Sequence, residues 1–130
     1  MTMDDERLIQ EAYQRLVDTY LASPHRKKVS VIEKAFRFAC QAHHGVRRLS
    51  GEPYIMHPLA VAQIVCGEIG LGSTSICAAL LHDVVEDTEE TIEQIEELFN
   101  PEVAKLVEGV TKINNLHFDS NVDATTANLR

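Results

Sequence analysis

Residues 75–86 read SICAALLHDVVE, and this stretch decides the fold. Its positions are apolar nearly all the way round until His82, and a helix of that composition belongs in the middle of a protein. Ser73 or Thr74 is its predicted N-cap, and the helix is expected to run to about Glu86. A fully buried helix needs other helices or a sheet around it. Six glycines and four prolines in 130 residues are too few, and helix-spaced apolar positions too frequent, for a β protein. The expected class is all-α.

Working outward, Leu8, Ile9, Ala12, Tyr13, Leu16, Val17 and Tyr20 follow the i, i+3, i+4 pattern of a first amphipathic helix that stops near Ser23-Pro24. Ser30 to Glu33 has the form of a capping box and opens a second helix over about 31–44, with Ala35, Phe36, Ala39, Cys40 and His43 on one face. Gly45 ends it. HGVRRLSGEPYIMHP then reads as an ordered loop, and Pro58 suits the first turn of a third helix whose stripe is Leu59, Ala62, Val65 and Ile69. Gly70-Leu71-Gly72 terminates that helix. Thr91 to Phe99 predicts a short acidic helix, and Asn100-Pro101 opens another that reaches about Lys112. A seventh begins near Asp123, so residues 1–130 read as one domain cut before its C-terminal side is complete.

Composition narrows the function. Hydrophobic residues make up 45% of the chain, enough for a real core. No apolar run reaches the length of a membrane span, and MTMDDERLIQ lacks the order of a signal peptide, so the reading is cytoplasmic. Cys40, Cys66 and Cys77 show no CxxC spacing and sit among apolar neighbours, which predicts buried, reduced thiols. The net charge of −8 is unevenly placed. Residues 1–48 hold nine Lys and Arg against six acids, whereas residues 49–104 hold eleven acids and no Lys or Arg. That pattern disfavours direct nucleic-acid binding. If the acidic middle handles a phosphate, a bound divalent cation is the simplest source of positive charge.

The candidate chemistry lies in that middle. His57, His82 and Asp83 stand where the apolar pattern predicts burial, with Glu86 and Asp87 one turn later. Burying an unpaired carboxylate costs several kcal/mol, so Asp83 needs a partner. Imidazole and carboxylate together suit Zn²⁺, Mn²⁺ or Fe²⁺. Neighbouring helical residues diverge by about 100°, so His82 and Asp83 share an ion only where their helix faces a cleft. His57, at the start of another helix, closes that cleft from the side. Taken singly these residues say little. A lone histidine in an apolar helix is ordinarily a hydrogen-bonded core residue, and the acids from Glu89 to Glu97 read as solvated. His25, His43, His44 and His117 carry no functional assignment, although His43 falls on the buried stripe of its helix.

HHGVRRLSGEPYIMHPLAVA, AALLHDVVEDT and VEGVTKI together resemble the hydrolase domain of the Rel/Spo family, over roughly residues 25–116. Those bacterial stringent-response enzymes make and degrade the alarmones ppGpp and pppGpp. The resemblance implies an HD-domain-like bundle of six to seven helices with no substantial sheet. It implies that His57, His82 and Asp83 are ligands of a divalent cation, most often Mn²⁺. Glu86 and Asp87 match the acidic pair that works on the attacking water, and Arg48 matches a basic residue that contacts the nucleotide. Arg47 and Lys112 are further phosphate-contact candidates from their charge and neighbourhood. The implied activity is hydrolysis of the 3′-pyrophosphate of a guanine-nucleotide alarmone, with a synthetase domain as a further element of the parent chain.

One departure matters. The family's fourth ligand is an aspartate in a later LADRLHN-like segment, which these 130 residues do not contain. Asp119 and Asp123 lie in the wrong context to replace it, so these residues alone are expected to be weakly active or inactive. Two rival readings remain open: a catalytically silent regulatory domain of an alarmone synthetase, and an HD-type phosphohydrolase acting on other nucleotides. Survival of the His-Asp pair and of the acids after it disfavours the first. The RRLSGEPYIMHP loop disfavours the second.

Overall fold

A computed structural model describes residues 3–25 and 28–110 of the chain. Among these residues six α-helices form the frame: α1 (Met3–Leu21), α2 (Val29–Ala42), α3 (Met56–Gln63), α4 (Ser73–Asp87), α5 (Ile92–Leu98) and α6 (residues 101–110). Among the described residues there is no strand, only an isolated antiparallel bridge between Arg47 and Pro53. The all-α expectation holds. The expected seventh helix and the residues Lys112, Asp119 and Asp123 lie outside the described residues.

The central placement of α4 follows from its sequence. Every residue from Ile76 to Val84 is buried. Fully burying a Leu or Ile side chain contributes about 1.5–3 kcal/mol, so Ile76, Leu80 and Leu81 outweigh any local helix preference. α2 and α3 pack directly on α4, and α1 lies across α3. α1 buries Ile9, Tyr13, Leu16 and Tyr20, as its periodicity predicts, while Leu8 stays exposed. The rings of Tyr13 and Phe36 stack with centroids 4.0 Å apart and join α1 to α2.

The helix ends differ from expectation in three places, each with a local cause. α2 starts at Val29, two residues before the predicted start, and no side chain caps it. The backbone N–H of Lys28 donates to the Tyr20 hydroxyl at 3.1 Å, so a donor that a capping box would satisfy is already taken. α4 starts at Ser73 with Gly72 in the N-cap position, in place of Ser73 or Thr74. A side chain at Gly72 would stand 3.3 Å from the His25 ring, which favours glycine there. Third, α3 passes into a single π-helical turn at Ile64–Ile69 before Gly70 closes it in the left-handed conformation at φ 81°. That wider turn shifts the register beyond Ile64. Ile69, which a 3.6-residue period places in the buried stripe, is consequently 62% exposed.

α5 and α6 start as the sequence predicts. Thr91 Oγ1 accepts from the Gln94 N–H at 3.2 Å, and Gln94 Oε1 accepts from the Thr91 N–H at 2.7 Å, which completes a capping box. Asn100 Oδ1 accepts from the Val103 N–H at 2.8 Å, with Pro101 following it at the first helical position. No helix among the described residues is long and apolar enough to cross a membrane. Cys66 and Cys77 are buried and Cys40 half-buried, all three as free thiols. Burial pushes the Cys77 thiol up to about 12 and the Cys40 thiol up to about 11, which keeps both protonated and poorly reactive.

Candidate metal centre and the cavity beside it

α4 delivers His82, Asp83 and Asp87, the first turn of α3 delivers His57, and the loop between α2 and α3 delivers Arg47, Arg48 and Tyr54. That loop is held by backbone hydrogen bonds. The Arg48 N–H donates to the Glu52 carbonyl at 2.9 Å, and the Tyr54 N–H donates to the Val46 carbonyl at 2.8 Å. Gly51 turns the chain at φ 98°, a conformation that glycine adopts freely. The chain then enters α3, and the His57 N–H donates to the Tyr54 carbonyl at 2.9 Å.

This architecture brings together His57, His82 and Asp83, whose candidate ligand atoms all lie within 4.8 Å of one another. His57 Nε2 stands 3.6 Å from Asp83 Oδ2, and His82 Nε2 stands 3.1 Å from Asp83 Oδ1. Asp83 and His82 are buried as expected. His57, in the first turn of α3, differs, with its side chain 37% exposed.

The second nitrogen of His82 tests whether this trio suits a cation. His82 Nδ1 lies 2.7 Å from the Ala79 carbonyl oxygen, which only accepts, so Nδ1 carries the proton and donates it there. In the neutral ring Nε2 then presents a lone pair to Asp83 Oδ1. Two lone-pair-bearing atoms at this separation call for a proton or a cation between them. Donors bonded at about 2.0–2.2 Å to one ion lie at most about 4.4 Å apart, so the trio needs only a slight contraction to share one. The donor set fits a divalent cation of borderline softness. Burial pulls the His82 imidazole down, but the Asp83 carboxylate and the Ala79 carbonyl outweigh it and raise it above its ordinary value. Burial likewise raises Asp83, while His82 and the Tyr54 hydroxyl bring it below the usual carboxylate range.

Beside the trio opens a cavity of about 730 Å³, lined in part by His43, Arg47, Arg48, Tyr54, Asp87 and Thr88. Asp87 is thus in the cavity wall, exposed, one turn beyond Asp83, and Glu86 is exposed as well. Arg48 pairs with Glu52 at 3.6 Å and remains half-exposed. Arg47 lines the same cavity with its guanidinium already engaged by the buried Asp5 carboxylate and the Gly51 carbonyl, so it also ties the loop to α1. Lys112 lies outside the described residues.

Two side chains here have no assignment from sequence reasoning. Tyr54 Oη lies 2.9 Å from Asp83 Oδ2 and 3.2 Å from Asp87 Oδ2. Burial first, then both carboxylates, hold its phenol well above the ordinary tyrosine value, so it stays a hydrogen-bond donor. His43 is 4% exposed, and its Nε2 is buried without a hydrogen-bond partner. Burial lowers its imidazole against the opposing pull of Asp83 and Asp87, which makes it a neutral ring. The signal for His43 was its place on the buried stripe of α2. For Tyr54 it was only an aromatic residue inside the glycine- and proline-framed loop.

Residues 35–129 match the model of the HD domain. The chain belongs to the HD-domain family. Within this HD-domain family the chain is 44% identical over 120 residues to the bifunctional (p)ppGpp synthase/hydrolase SpoT of Escherichia coli K12, which covers 92% of this chain and 16% of that protein. It is 50% identical over 100 residues to a probable guanosine-3′,5′-bis(diphosphate) 3′-pyrophosphohydrolase of Synechocystis, 77% of this chain and 13% of that one. A probable GTP pyrophosphokinase of Mycobacterium leprae is 46% identical over 101 residues, 78% of this chain and 13% of its own length. This HD-domain chain therefore spans about one sixth or less of the relatives it matches. The Rel/Spo resemblance carried by its loop and by LLHDVVEDT agrees with all three.

Proposed function

We propose that the chain is the hydrolase domain of a cytoplasmic enzyme that removes the 3′-pyrophosphate from guanosine tetra- and pentaphosphate. The products are GDP or GTP and pyrophosphate. The observation that carries this reading is the convergence of His57, His82 and Asp83 on one point, with His82 Nδ1 anchored on Ala79 and Nε2 directed at Asp83. His57, His82 and Asp83 would hold the cation, with Mn²⁺ preferred. Bound there, it would acidify a water from a pKa of about 15.7 toward about 7 and offset phosphate charge.

The chain's own side chains do the remaining work. Glu86 and Asp87 orient the water and take its proton as its oxygen adds to the phosphorus next to the ribose 3′ oxygen. The P–O bond to that oxygen breaks, and the proton returns to the ribose. A positioned base of this kind contributes about 10²–10⁴-fold in rate. Arg48 holds the nucleotide in the cavity, Arg47 stiffens the loop and faces the phosphates, and Lys112 is a further phosphate contact. A synthetase domain in the same parent chain is the proposed partner element.

The test is release of pyrophosphate from ppGpp by the full-length protein with added Mn²⁺. Turnover that a chelator abolishes and Mn²⁺ restores is the expected result. A protein that binds Mn²⁺ and leaves ppGpp intact would contradict the substrate assignment.

A further inference from the structure

Asp83 and Asp87 are two carboxylates one helical turn apart on α4, and like charges at this spacing repel. The group between them comes from a different element. Tyr54 Oη is within hydrogen-bond distance of both, at 2.9 Å from Asp83 Oδ2 and 3.2 Å from Asp87 Oδ2. A phenol has one proton to give, so the two carboxylates share a single donor. The ring that carries it sits between two others. His43 lies 4.7 Å away at a 45° tilt, and His57 lies 5.9 Å away edge-on. Two flanking rings and the backbone bond from Tyr54 to Val46 leave the hydroxyl few alternative positions.

We propose that Tyr54 is a positioning residue that couples the cation-holding carboxylate of Asp83 to the water-activating carboxylate of Asp87. The proposal rests on the hydrolase reading above. Its hydroxyl donates to Oδ2, the oxygen that also faces His57, which fixes the carboxylate so that Oδ1 is left to His82, and it holds Asp87 at the cavity wall. A hydrogen-bond partner behind a ligand carboxylate is worth about 10–100-fold in metal affinity or activity. His43 acts on this arrangement through the Tyr54 ring, as a neutral buried surface against which the ring rests.

Tyr54→Phe tests this, because it keeps the ring and its packing and removes only the hydroxyl. In the full-length protein we expect Mn²⁺ affinity, followed by electron paramagnetic resonance of the free ion, to weaken about tenfold or more. At saturating Mn²⁺ we expect kcat for ppGpp to fall about tenfold or more, with KM changed less than threefold. A purely structural tyrosine would lower the melting temperature and leave both quantities in place. Wild-type Mn²⁺ affinity or wild-type kcat in Tyr54→Phe overturns the coupling role. If the wild-type protein binds Mn²⁺ but spares ppGpp, the substrate reading fails alone and the two Mn²⁺ affinities decide the role of Tyr54. If the wild-type protein binds no Mn²⁺, both fail.

Discussion

Asp83→Asn is expected to eliminate alarmone hydrolysis by the full-length protein, with a fall of at least about 10³-fold in kcat, since a cation's charge stabilisation is worth several kcal/mol. The substitution keeps the shape of a side chain that is 6% exposed and removes its charge. Asp83 joins three side chains of the site: His82 against Oδ1, and His57 and the Tyr54 hydroxyl against Oδ2. No other carboxylate among the described residues shares the cluster with the two imidazoles. Asparagine would place a neutral amide there, and the cation would lose its only anionic contact within that trio. Near-ultraviolet circular dichroism should remain unchanged, because packing around α4 is preserved. Hydrolysis within tenfold of wild type would show that Asp83 does not hold the reacting centre.

The largest effect on stability is expected at Leu80→Ala. Leu80 is fully buried in the central helix, and truncating such a residue costs about 2–5 kcal/mol in lost burial and residual cavity. Small domains have about 5–15 kcal/mol of total stability, so this is a large share of it. Leu8→Ala on α1, where the side chain is 47% exposed, should cost no more than about 0.5 kcal/mol. Urea denaturation of the two variants provides the comparison. Similar midpoints for both would mean that α4 is not the core helix.

Much of this molecule is legible in its sequence because the deciding signals are local. The apolar run from Ile76 to Leu81 specifies a buried helix without reference to anything else, and α2 and α3 both pack on the helix it predicts. His82 and Asp83 stand out because polar groups in such a run require a partner. His57 is marked by the proline-framed loop, although its partial exposure is not, since that depends on how α3 meets the cleft. Helix starts are less legible. Ser30 and Ser73 both have the chemistry of caps, yet one donor is satisfied by Tyr20 from a different helix, and Gly72 is favoured by the nearness of His25. The π-helical turn at Ile64–Ile69 has no signature in apolar spacing and displaces Ile69 from the core.

The interactions hardest to foresee join residues far apart in the chain. Tyr54 and Asp83 are 29 positions apart, and Arg47 and Asp5 are 42 apart. No periodicity or spacing rule links such pairs. Arg47 illustrates this, because its charge marks it as a phosphate-contact candidate, yet nothing in its spacing reveals that Asp5 and the Gly51 carbonyl also hold its guanidinium.

The central claim is that His57, His82 and Asp83 hold one divalent cation. Crystals of the full-length protein grown with Mn²⁺, with diffraction recorded on both sides of the manganese absorption edge, test it most directly. The account predicts one anomalous peak in contact with His57 Nε2, His82 Nε2 and an Asp83 carboxylate oxygen. A map with no peak between these three side chains, at a Mn²⁺ concentration that supports hydrolysis, would contradict it.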